Sequence, residues 1–224
     1  RADLGPTREA YGYDAYGALA TLTGTHGAAT LYRETMASTS HPRDALGRIQ
    51  RRVDEQAGRA TTWDYEYDPR GRLSRVLRNG ALYEENLYDP NGNREAVTTA
   101  AGVTTATHDA QDRLLTYGDE VFTYTAHGEL LTRTHVPSAA TTTYTHDARG
   151  NLVRVELPGG EVIEYLIDGR DRRVGKKRDG VLERAWLWKD QLRIAAELDG
   201  TGALVARYVY GARSGTTPEY VVRY

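Results

Sequence analysis

β-Branched and aromatic residues recur at short intervals along this 224-residue chain, and no long stretch is free of turn signals. That pattern predicts strand throughout and no long helix. Two kinds of turn alternate between the strands. One is a Tyr-Asp-x-x-Gly unit: Tyr13-Asp14-Ala15-Tyr16-Gly17, Tyr67-Asp68-Pro69-Arg70-Gly71, Tyr88-Asp89-Pro90-Asn91-Gly92 and His146-Asp147-Ala148-Arg149-Gly150. Looser copies occur at Asp44 to Gly47, His108-Asp109, Tyr124 to Gly128 and Ile167-Asp168. From Asp44 onward the units recur about every 20 residues, a period that signals units burying a core only by stacking on their neighbours.

Asp at the first, Pro at the second and Gly at the fourth position of Asp68–Gly71 and Asp89–Gly92 are type I turn preferences, with glycine in the left-handed conformation. The second kind of turn falls between these units, at Asn79-Gly80, Gly118-Asp119, Pro158-Gly159-Gly160, Asp179-Gly180 and Ala100-Ala101-Gly102. Asn-Gly and Asp-Gly fit type I′ and Gly-Asp fits type II′. Two-residue loops would set Leu77 opposite Leu82, Val76 opposite Tyr83 and Arg75 opposite Glu84. They would also set Lys176 opposite Glu183, Val174 opposite Ala185 and Arg173 opposite Trp186. At Gly118-Asp119 the pairs are Thr116 with Val121, Leu115 with Phe122 and Arg113 with Tyr124. Apolar pairs occur on both faces, so the clean inside and outside of a sandwich is missing.

The fold class predicted is therefore all-β: a serpentine antiparallel ribbon of hairpins, about two strands per repeat. Roughly twenty strands at about 4.8 Å would extend on the order of 100 Å. Open twisted sheets beyond about ten strands curl, split or flatten, so the ribbon is expected to wind around a space. It forms one array over 1–224, more divergent over 1–60, regular over 61–185, with last repeats over 186–224.

Composition adds limits. Sixteen tyrosines against one Phe and one Met suit half-wet sheet faces. A net charge of −2 with interspersed signs offers nucleic acid no basic field. The absence of cysteine excludes disulfides and thiolate zinc sites. No apolar run approaches 18 residues, so no membrane segment is predicted, and the polar start at Arg1-Ala2-Asp3 reads as a fragment boundary.

No chemistry rises above the turns. His26, His41, His108, His127, His135 and His146 show no close ligand spacing, and Asp89, Asn91 and Asn93 start a calcium-like loop that no Glu closes. There is no G-x-S-x-G, P-loop or G-x-G-x-x-G. Glu84-Glu85 and Glu161/Glu164 read as cross-strand charge partners. Catalytic residues, cofactors and metal are expected to be absent, and the residues singled out are structural: Asp14, Gly17, Asp44, Gly47, Asp68, Gly71, Asp89, Gly92, Asp147 and Gly150 in repeat turns, and Asn79, Gly80, Gly118, Asp119, Gly159, Asp179 and Gly180 in hairpin turns.

Tyr65 to Leu73 and Leu87 to Arg94 resemble the repeat of the RHS (rearrangement hotspot) or YD-repeat family almost letter for letter. Asp171 to Lys177, Trp186-Leu187-Trp188, Ala195 to Asp199 and Ala206 to Gly211 are similar to its last repeats before the core. The resemblance implies a ribbon spiralling into a hollow shell, as in RHS polymorphic toxins and the C component of toxin complexes, where the shell encloses a C-terminal toxin. It also implies a secreted or cell-surface bacterial protein. The partners implied are the remaining shell segments, or self-association through open strand edges, and the enclosed effector polypeptide. The autoprotease motif of such shells, Asp-Pro-x-Gly with an apolar residue, would lie beyond Tyr224; Asp68–Gly71 and Asp89–Gly92 match four of its letters as repeat turns only. The alternatives are an extracellular adhesion or sugar-binding module, teneurin-like or wall-associated, and an autoprotease fragment.

Overall fold

A computed structural model describes residues 7–211 and 215–224. The protein is all-β, and the helical content of the described residues is one 3₁₀ turn, Val136–Ser138. The chain divides into two compact units, residues 1–112 and 113–224. The first unit holds β1 (Thr7–Tyr13), β2 (Leu19–His26), β3 (Ala29–Thr35), β4 (Arg51–Gln56), β5 (Arg59–Tyr67), β6 (Leu73–Arg78), β7 (Ala81–Tyr88), β8 (Arg94–Thr99) and β9 (Gly102–His108). The second holds β10 (Leu114–Tyr117), β11 (Glu120–Tyr124), β12 (Leu130–His135), β13 (Ala140–His146), β14 (Leu152–Glu156), β15 (Val162–Ile167), β16 (Arg173–Arg178), β17 (Val181–Trp188), β18 (Ile194–Asp199), β19 (Leu204–Val209) and β20 (Tyr220–Arg223). Within each unit every strand pairs antiparallel with the next in sequence, which is the predicted serpentine ribbon.

Each unit has a thin core. The buried apolar residues are Val76, Val97, Ala106, Val155, Ala196 and Ala206. Strand geometry sends alternate residues to opposite faces, so Tyr65 and Tyr67 share a face with Val76, the cross-strand partner of Tyr65. Leu87, Leu166 and Leu187 precede the repeat aromatic or its equivalent, point to the other face and stay 60%, 41% and 53% exposed.

Register slips by one residue wherever a strand ends at the repeat Tyr or its equivalent, as at Glu66/Tyr67, Leu87/Tyr88, Thr123/Tyr124 and Leu187/Trp188. A type I turn followed by left-handed glycine produces such a bulge. Bulges also correct part of the expected register. Leu77 does face Leu82, but Val76 faces Glu84 and Arg75 faces Glu85, because Tyr83 is the extra residue. Its ring meets Trp63 edge-on at 5.1 Å. In the Asp179-Gly180 hairpin Lys176 faces Arg184 and Gly175, not Val174, faces Ala185; Trp186 pairs with Glu197 and Arg173 with Ile167. Here Glu183 is the extra residue, and its carboxylate sits 2.7 Å from Lys176 Nζ and 3.6 Å from Arg178 Nε. Around Gly118-Asp119 the paired residues are Tyr117 with Glu120 and Thr116 with Val121.

Candidate functional site

In a ribbon of this topology alternate turns lie on alternate edges, so the repeat turns at Asp14, Asp44, Asp68, Asp89 and Asp147 and their looser copies share one edge of each unit, while one further Asp-x-x-Gly turn, Asp199–Gly202 between β18 and β19, lies on the other edge, with Gly202 at φ +88° and its N–H on Asp199 O at 3.1 Å. Glycine closes them at positive φ: Gly17 +80°, Gly47 +78°, Gly71 +85°, Gly92 +103° and Gly150 +82°. Each of these glycine N–H groups donates to the carbonyl of its Asp, at 3.0, 2.9, 2.9, 3.2 and 3.0 Å. Asp112 and Asp171 take the same place in the looser copies at φ 61° and 59°. Short polar side chains tolerate this conformation better than others.

The turn aspartate clamps the next four residues of the chain. Asp68 Oδ1 accepts the N–H groups of Arg70 and Arg72, both at 2.9 Å, and Asp14, Asp44 and Asp147 accept from the second and fourth residues after them. Asp89 shifts by one and takes Gly92 and Asn93. Oδ2 then holds the side chain four residues on: Arg48, Arg72, Asn93, Asn151 or Arg172. Arg172 draws the Asp168 carboxyl down to about 2 against the opposing effect of desolvation. Asn93 and Asn151 likewise lead in lowering Asp89 and Asp147.

That fourth residue also addresses the next repeat. Arg48 lies over the Tyr67 ring at 4.2 Å, Arg72 over Tyr88 at 4.6 Å and Arg113 over Tyr124 at 5.0 Å. Arg172 over Trp188 and Arg193 over Tyr210 are each at 5.8 Å. The covered ring then donates to the carbonyl of the residue just after that arginine. The acceptors are Ile49 at 2.7 Å, Leu73 at 2.8 Å, Leu114 at 2.7 Å, Arg173 at 2.9 Å and Ile194 at 3.0 Å. Arg43, in the Tyr place before Asp44, donates to Leu19 O at 2.8 Å by the same rule. Where the next repeat offers no Tyr or Trp, arginine is absent: Asn93 precedes His108, Glu129 precedes His146 and Asn151 precedes Ile167. Polar bonds tie successive turns as well, from Arg72 to Asp89 O at 3.0 Å and from Asn151 and Arg149 to Asp171 Oδ1 at 3.0 and 3.1 Å. Arginine at this position carries the seam between repeats, and only its spacing from a ring one repeat later could have exposed it in the sequence.

The other edge is varied. Asn79 and Gly80 (φ 51° and 80°) and Asp179 and Gly180 (49° and 80°) form type I′ loops. At Gly118-Asp119 the glycine alone is positive, φ 55°. Ala57-Gly58, which sequence reasoning passed over, has the type I′ signs at 49° and 74°. Gly159 lies in a turn of the repeat kind: Gly160 carries the positive φ, 87°, and its N–H donates to Leu157 O at 2.9 Å.

Carboxylates that could suggest acid-base work are held by arginine: Glu85 by Arg75 at 3.5 Å, Glu164 by Arg154 at 3.7 Å, and Glu161 by Arg178. Among the described residues no three metal-capable side chains gather, and no helix is long and apolar enough to cross a membrane. A cleft of about 470 Å³ in the second unit is lined by Trp186, Trp188, Asn151, Arg172 and Gln191. There Asn151 donates to Asp147 and Asp171, Arg172 to Asp168 and Gln191 to Arg170 O.

Repeats that clamp their own turn and cover a ring of the next define a Tyr-Asp repeat ribbon. The Teneurin YD-shell family model matches residues 4–216, and the chain belongs to that family. The tRNA nuclease WapA of Bacillus subtilis (strain 168) is 28% identical over 151 residues, covering 63% of this chain and 6% of that protein. Among solved structures, the Photorhabdus luminescens Tc holotoxin pore aligns with 92% of this chain and 17% of its own, at 14% identity and TM-score 0.44. TcdB2-TccC3 aligns with 97% and 18%, at 12% identity and TM-score 0.34. The chain therefore spans a small part of each of these relatives.

Proposed function

We propose that this chain is a wall segment of a YD shell that encloses and shields a polypeptide effector in a secreted or surface-displayed bacterial protein. The observation that carries the reading is where cohesion lies. Within each unit the repeats are tied at the turn edge by Asp, Arg and Tyr, while the sheet faces keep Leu87, Leu187 and Val181 at 60%, 53% and 71% exposure. Apolar side chains left on those faces are surface that a second layer must cover, and an enclosed cargo supplies that layer. Tyr, Trp and aliphatic side chains on such a face contact a client without sequence-specific chemistry, so many effectors fit one wall. Family membership supports the shell, and the substrate and partners of the longer relatives stay with those proteins.

The test joins this segment to the rest of its shell, appends an unrelated small domain, and follows proteolysis of that domain with the repeats intact and with them deleted. Slow digestion only in the intact shell is expected. Equal digestion removes containment, and a glycan-array signal from the chain favours adhesion.

A further inference from the structure

We infer that the cleft beside Ile167 in the second unit is a binding site for one tyrosine or tryptophan side chain of the enclosed polypeptide, seated where this repeat lacks a ring of its own. From Tyr67 to Tyr210 the strand that leads into each repeat turn ends in Tyr, Trp or His, except at Ile167. Tyr and Trp in that place donate to the carbonyl just after the residue that covers the ring, as Tyr67 does to Ile49 O at 2.7 Å and Trp188 to Arg173 O at 2.9 Å. By the same rule the acceptor for position 167 is Leu152 O, and isoleucine brings it neither ring nor donor.

A missing ring leaves space. The cleft of about 470 Å³ is lined by Asn151, Leu152 and Ile167 of this seam and by Trp186 and Trp188 of the next. The first unit shows the same correlation: the repeat with Arg43 in the ring place and Ala18 in the covering place has a cleft of about 800 Å³ lined by both. There Arg43 itself supplies the donor, to Leu19 O at 2.8 Å. At position 167 the side chain supplies none.

The walls define what fits. Arg173 lines the cleft as an exposed guanidinium stacked on Tyr165 at 3.7 Å, with no carboxylate partner among the described residues. The negative face of an aromatic ring complements that cation, and Trp186 and Trp188 offer it edge-on or offset packing. A ring that also carries an O–H or N–H meets all three demands of the site: aromatic wall, guanidinium and carbonyl acceptor. The polypeptide as source of the ring rests on the wall reading; the chemistry of the cleft does not.

The probe is N-acetyl-tyrosinamide added to the full chain, with the methyl resonances of Leu152 and Ile167 followed by NMR. Saturable ring-current shifts of both are expected, with binding about fivefold weaker for N-acetyl-phenylalaninamide, which lacks the donor. Ile167→Tyr fills the cleft from within, so it should abolish the shifts at Leu152 and raise the melting temperature. Should that variant fail to fold, nuclear Overhauser contacts between the probe ring and the Ile167 methyls of the wild-type chain decide the matter, and their absence overturns the site. Shifts that persist in folded Ile167→Tyr, equal binding of the phenylalanine amide, or a methyl glucoside that binds the same methyls as tightly overturn it too. Ring binding without cargo protection sinks the wall and keeps the site; cargo protection without ring binding does the reverse.

Discussion

Along one edge of each unit the strands turn through Asp-x-x-Gly and reach forward to the next repeat. Along the other they turn through Asn-Gly, Asp-Gly, Ala-Gly, Gly-Asp, Leu157–Gly160, Asp199–Gly202 or a 3₁₀ turn; there Asn79 and Asp179 bridge back to Thr62 and Val162, and Val136 N–H donates to Asp119 O at 2.9 Å. Both edges reverse the chain. On the first edge Asp, Gly and Arg or Asn recur from repeat to repeat, while the opposite turns vary in sequence and type, although one of them, Asp199–Gly202, carries the same Asp clamp.

The largest expected contrast between the edges is with acid. Asp168 is held at about 2, chiefly by Arg172, and Asp89 and Asp147 are lowered chiefly by Asn93 and Asn151. A folded value below the unfolded one, about 3.9, means a contribution present in full above pH 4 and lost as pH falls toward 2. Thermal melting followed by circular dichroism should be level from pH 7 to 5 and drop steeply below about pH 4. In the Asp89→Asn, Asp147→Asn, Asp168→Asn triple variant the chain should be weaker at neutral pH and its acid drop shallower. An unchanged drop would place the acid-sensitive groups elsewhere than these three aspartates.

Next is the backbone itself. Gly71→Val forces a β-branched residue to φ +85° and sets its Cβ 3.1 Å from Arg48 Nη1, so a loss of about 1–3 kcal/mol in urea unfolding is expected. Gly71→Asn should cost clearly less, because Asp112 and Asp171 already occupy the equivalent place. Equal losses for Val and Asn would break the turn assignment. On the opposite edge, inside the Asp199–Gly202 turn, a Cβ on Gly200 would stand 2.0 Å from Leu182 O, a closer clash than at Gly71.

The seam is smaller and more diagnostic. Tyr67→Phe removes the 2.7 Å bond to Ile49 O and should cost about 0.5–1.5 kcal/mol. Combined with Arg48→Ala in a double-mutant cycle, the two losses should sum to more than the double variant shows, because both act on one ring. Strict additivity would separate the ring contact from the hydrogen bond.

The sequence made the first edge legible because left-handed backbone at Gly71 or Gly92 demands glycine beside a side chain able to hold the turn. It made the strand count and antiparallel order legible for the same reason. Bulges at Tyr83 and Glu183 were hidden, since either register offers good partners: Val76 meets Tyr83 in one and Glu84 in the other, and the extra residue is held by Trp63 outside the hairpin in the first case and by Lys176 and Arg178 within it in the second. Ala57-Gly58 was hidden because alanine gives no turn signal, and Leu157–Gly160 because Pro-Gly-Gly without Asp does not announce the repeat geometry. Arg48 and Arg72 were in plain view, but their targets lie a full repeat away, beyond what local spacing reveals.

The smallest predicted effect tests how little the second edge asks of its residues. Asn79 Oδ1 accepts Thr62 N–H at 2.8 Å, and its own N–H donates to Thr62 O at 2.7 Å. Asp179 does the same with Val162, at 2.8 Å for both bonds. One side-chain oxygen and tolerance of positive φ are all the position needs, so Asn79→Asp should change unfolding free energy by less than about 0.5 kcal/mol. Asn79→Ala keeps neither property and should cost about 1 kcal/mol, shared between the lost acceptor and the left-handed backbone. If Asn79→Asp costs as much as Asn79→Ala, the amide nitrogen of Asn79 has a partner in the ribbon, and this turn belongs with the specified edge.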